Sequence, residues 1–67
     1  MDRTSIITAA IKQVRSHLRA TPKAARGAHW QLADRRIKDA ALLLGKNDEV
    51  AEQRASEALF HVNFVTF

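Results

Sequence analysis

Helix breakers are scarce in this chain and stand at three places, Pro22, Gly27 and Gly45. The stretches between them are rich in Ala, Leu, Lys, Arg and Glu, which lose little conformational freedom in a helix. That punctuation predicts an all-α fold, a three-helix arrangement filling a single small domain over residues 1–67.

The first helix is expected from Thr4 or Ser5, both N-cap types, to Ala20. Ile7, Ile11, Val14 and Leu18 recur at helical spacing and make one apolar stripe. The second is expected to open at Thr21-Pro22, because proline's missing N–H costs nothing in a first turn. Gly27 weakens those turns by about 1 kcal/mol relative to alanine, so a start nearer Ala28 is the alternative. Trp30, Ala33, Ile37, Ala41 and Leu44 form its stripe. Asp34 with Lys38 and Arg35 with Asp39 are placed for i, i+4 ion pairs. Gly45 suits the left-handed position just past a helix end. Asn47 then caps a third helix, with Asp48, Glu49 and Glu52 near its positive end. Ala51, Ala55, Ala58, Leu59, Val62 and Val65 share its face. The short link makes helices two and three an antiparallel hairpin, with helix one packed across them. Residues 59–67 also alternate, so a strand competes with helix there.

A chain of 67 residues buries too little apolar surface to outweigh its chain entropy by much. Without cysteine it has neither disulfides nor thiolate metal sites. Of His17, His29 and His61, only His61 has a candidate ligand at helical spacing, Glu57, and one pair is half a metal site at best. No metal site and no cofactor are expected. Regular packing and self-association are the remaining sources of stability.

The third helix carries apolar surface beyond its alanine stripe. Phe60, Phe64 and Phe67 lie well round the cylinder from it, and Leu32 and Leu43 stand off the stripe of the second helix. One reading wraps these residues into a monomer core. The reading preferred here makes them a protein interface that closes a homodimer or docks on a partner protein, since contiguous exposed apolar surface usually marks an interface.

Charge is uneven. Residues 1–26 hold six basic groups against Asp2 alone, and residues 27–67 hold five against six acidic ones, within an overall net charge of +4. Lys12, Arg15 and Arg19 line one strip of the first helix, and Lys23 and Arg26 follow. Such a strip is a solvated face, a contact for nucleic-acid phosphate, or a site for an acidic partner. Ala41-Leu42-Leu43-Leu44-Gly45 before a capped helix has the outline of a helix-turn-helix. However, Lys46 falls where that turn buries an apolar group, Asp48, Glu49 and Glu52 would repel phosphate, and Arg54 falls at a core position. The basic, amphipathic first helix would also suit an anionic membrane surface, although its stripe is narrow and lacks an aromatic ring.

Enzymatic activity is not expected. No glycine-rich phosphate loop, nucleophile elbow or catalytic carboxylate pair is present, and a chain this short has little room for a substrate pocket. Trp30 is expected to anchor the core with its indole N–H bonded, and Glu57 with His61 to form a surface pair. The N-terminus lacks a basic-then-apolar signal pattern and no apolar run approaches a bilayer span, so a cytoplasmic location is expected. The function expected is that of a non-catalytic interaction module, a small regulator, adaptor or inhibitor. The alternative is a nucleic-acid-binding protein that uses its basic first helix.

Overall fold

A computed structural model describes residues 2–65. Among them are α1 (Arg3–Ala20), α2 (Ala28–Leu43) and α3 (Asp48–Val62), with one 3-10 turn at Lys23–Ala25 and no strand.

The start of α1 lies earlier than the sequence suggests. Asp2, and not Thr4 or Ser5, is the N-cap, and its carboxylate accepts the Ser5 N–H at 2.7 Å. An ionised acceptor is favoured there, because the helix dipole is positive at that end. The bond holds the Asp2 carboxyl below its usual value of 3.8. Thr4 instead sends its hydroxyl to Asp48 Oδ2 at 2.9 Å, tying α1 to the start of α3.

Thr21 ends α1 and does not begin α2. Its side chain is buried, and its hydroxyl donates to the His17 carbonyl at 2.8 Å. Its N–H goes to the Leu18 carbonyl. The hydroxyl that would have capped the next helix is therefore turned back onto the preceding one. Pro22 is extended, the chain makes the short 3-10 turn, and Gly27 serves as the N-cap of α2. Ala28 is the start that prevails.

Gly45 has φ +86°, the left-handed conformation a helix C′ residue adopts. Asn47 caps α3 by accepting the Val50 N–H at 3.3 Å. Between them the chain reverses. His29 meets His61, and Arg36 lies 2.9 Å from Glu57, so α2 and α3 run antiparallel. α1 runs in the direction of α3, with Thr4 at Asp48 and the His17 Nε2 3.2 Å from the Val65 carbonyl oxygen. The architecture is up-down-up.

The core is built from Ile7, Ile11, Val14 and Leu18 on α1, Ala33, Ile37 and Ala40 on α2, and Ala51, Ala55, Ala58 and Val62 on α3. Alanines dominate the α2–α3 seam, so the close neighbour of the α3 alanine face is α2 of the same chain. Ala41, Leu44 and Leu59 are half-buried beside this core. Trp30 packs against it and donates its indole N–H to the Leu18 carbonyl at 3.0 Å, a second donor beside the Thr21 N–H at the end of α1.

Among the described residues neither a strand nor a longer helix follows Val62. Phe64 N–H to His61 O (3.0 Å) and Val65 N–H to Val62 O (3.1 Å) close a turn. That turn folds Val65 back into the core. Phe67, expected on the aromatic face, lies outside the described residues.

Candidate interaction surface

The antiparallel hairpin brings the first turn of α2 and the last turn of α3 to one end of the molecule, and an aromatic cluster forms there. The His29 and His61 Nδ1 atoms stand 3.0 Å apart. At that separation one ring donates a proton and the other accepts it. Phe64 stacks on His29 at 4.8 Å between centroids, Phe60 meets His61 edge-on at 5.3 Å, and Phe60 meets Phe64 edge-on at 5.2 Å. These are preferred aromatic geometries. The phenyl rings nonetheless remain open to solvent, Phe60 being 58% and Phe64 54% exposed. Phe64 reaches the cluster through the turn after α3, not by helical spacing.

The other apolar residues expected at an interface are placed differently. Leu43 packs on the core and Leu32 is half-buried. The exposed leucine is Leu42, at 70%, which sequence reasoning missed. It lines a shallow cleft of about 320 Å³ with Asp39, Leu43, Val50 and Arg54, at the opposite end of the hairpin from the phenylalanines. Ile6, at 49% exposure, was also missed.

Glu57 does not pair with His61. It accepts from Arg54 Nη1 at 2.7 Å and attracts Arg36 Nε at 2.9 Å. The Arg36 contact is too bent for a hydrogen bond and is held by charge alone. Instead, His61 faces His29 across the hairpin. A hairpin register would have revealed this juxtaposition, because His29 and His61 are equidistant in sequence from Gly45.

A second feature is basic. Arg15 and Arg19 from α1 and Arg26 from the linker surround a cleft of about 240 Å³ with Leu18, Trp30 and Asp34. Arg26 lies over the Trp30 ring at 4.5 Å, and its Nε donates to the Thr21 carbonyl at 3.1 Å. Lys12 shares the α1 face two turns before Arg19, and Lys23 lies in the 3-10 turn outside the cleft lining. Among the described residues, Lys12, Arg15, Arg19 and Lys23 make no ion pair, whereas Arg3, Arg36, Lys38 and Arg54 do. Asp34 opposes the arginines from one wall, with Lys38 bonded to it at 2.9 Å as the sequence anticipated, whereas Arg35 and Asp39 form no ion pair among the described residues.

No group of three or more His, Cys, Asp or Glu side chains converges among the described residues, and no helix among them is long and apolar enough to cross a membrane. Comparison of the chain with protein-family models, with characterised proteins and with solved structures finds no match.

Proposed function

We propose that this chain is a non-catalytic helical interaction module whose docking surface is the Phe60–Phe64 patch, and that its first partner is a second copy of itself. The observation that carries this reading is the pair of phenyl rings, in contact with each other and each more than half exposed. Aromatic side chains left in water at one place are costly, and they are enriched in the centres of protein interfaces. The buried core of the chain includes neither ring. A role as a small regulator or adaptor and a cytoplasmic location belong to the same proposal; the cysteine-free composition supports the latter.

Sedimentation of the wild type and of a Phe60→Ser, Phe64→Ser variant tests it. The wild type is expected to self-associate at micromolar concentration and the variant to remain a monomer. A wild-type monomer throughout that range would remove the reading.

A second reading has its own support. Arg15, Arg19 and Arg26 converge beside an aromatic ring, and among the described residues Arg15 and Arg19 make no ion pair although Asp34 shares the cleft, which suits phosphate. If the cleft binds nucleic acid, affinity for random duplex should fall steeply with salt, and Arg15→Gln with Arg19→Gln should flatten that dependence. No mobility shift at low salt would end it.

A further inference from the structure

We propose that His29 and His61 are two ligands of a divalent transition-metal site completed by the same two residues of a second copy, so that the ion bridges a homodimer. The proposal builds on the reading of the Phe60–Phe64 patch as a self-docking surface. It commits to late first-row cations such as Zn²⁺, for which neutral imidazole is a well-suited ligand.

The geometry carries the argument. The two Nδ1 atoms already face each other at 3.0 Å. Two imidazole nitrogens bound tetrahedrally at about 2.0–2.1 Å from zinc lie roughly 3.3–3.4 Å apart. An opening of a few tenths of an ångström and a small rotation of each ring therefore turn the hydrogen-bonded pair into a chelate. The ring that donates through Nδ1 shifts its proton to Nε2 through solvent, and both rings then bind the ion as neutral imidazoles. His29 is exposed and His61 half-exposed, so an ion reaches the pair from solvent. Phe64 stacked on His29 and Phe60 edge-on to His61 limit the movement of both rings.

One copy offers too few ligands. Glu57, the carboxylate one turn before His61, is engaged by Arg36 and Arg54, and no third ligand converges on the pair among the described residues. A two-fold axis through the patch supplies what is missing. An isologous interface presents the same surface twice, so docking Phe60 and Phe64 against their counterparts brings the second histidine pair to the same point.

The test uses the full chain, stripped with EDTA and titrated with zinc chloride alone, read by calorimetry and by sedimentation. One zinc per two chains is expected, with dimer affinity raised by about tenfold or more through binding to the associated form. His29→Gln and His61→Gln should each lose both effects, with an unchanged far-ultraviolet helix signal. Zinc uptake no greater than that of the doubly substituted variant overturns the site, and so does one zinc per chain with no change in mass. Self-association without metal that is abolished by Phe60→Ser, Phe64→Ser and is indifferent to zinc leaves the patch standing and removes the metal. Zinc-dependent dimers that survive the phenylalanine substitutions do the reverse.

Discussion

Individual side chains show where chemistry at a single position can be read in advance. The indole of Trp30 needs a hydrogen-bond partner once its ring is packed, and it finds the Leu18 carbonyl. Replacing Trp30 by Phe keeps an aromatic ring but removes one of the two donors to that carbonyl, leaving the Thr21 N–H. The expected cost is about 0.5–1.5 kcal/mol in urea unfolding, and a change below about 0.3 kcal/mol would mean water replaces the donor freely. Asp2 is a case of opposite kind, in which the sequence pointed to Thr4 or Ser5 as the cap and the structure puts Asp2 there instead. Its folded-state carboxyl is lowered by the Ser5 N–H. Its contribution is therefore complete above the unfolded value of 3.8 and fades as pH falls through the lowered folded value. Asp2→Ala should reduce thermal stability at neutral pH, and should shrink the difference from wild type on acidification. An unchanged difference at strongly acid pH would show that Asp2 acts by something other than its charge.

Helix ends differ in how firmly the residues near them determine where they fall. At Gly45 a positive φ is required, and only glycine adopts it without strain. A Cβ added there meets nothing within 4 Å. Gly45→Ala should thus cost about 1–2 kcal/mol from backbone strain alone, with the helix signal of both flanking helices retained. A neutral substitution would show the turn relaxing to another conformation. At Thr21-Pro22 the same kind of local reasoning leads to the wrong helix. A threonine before proline is a good N-cap, yet Thr21 spends its hydroxyl on the helix behind it. Local rules identify a residue able to cap, but whether it faces forwards or backwards depends on which neighbour buries it. The end of α3 follows the same logic, because Val65 leaves the helix to complete the core.

Over the molecule as a whole, the principal extents of 36 × 18 × 15 Å describe a short rod, with the aromatic cluster at one end of its hairpin and Leu42 at the other. The core that holds it together buries Ala33 and Ala40 on α2 and Ala51, Ala55 and Ala58 on α3. Small residues allow the helices to approach closely and leave no room for more. Ala55→Leu should destabilise by about 1–3 kcal/mol through overpacking. Leu42→Ser, at an exposed site, should stay within about 0.5 kcal/mol of wild type. A leucine tolerated at position 55 would mean that the two helices are not in close contact there.

From the sequence alone came the helix count, the hairpin of α2 and α3, the stripe of α1 and, as far as Val62, that of α3. Each of these depends on spacing along a single element, where the helical period converts order into direction. Only tertiary structure could set His29 against His61, gather Arg15, Arg19 and Arg26 around Trp30, leave Leu42 rather than Leu43 outside, and carry Phe64 into the cluster through a turn. Those placements depend on the register and rotation of one helix against another, which are fixed by how the alanine seam and Val65 close the core and which no single stretch of the chain encodes.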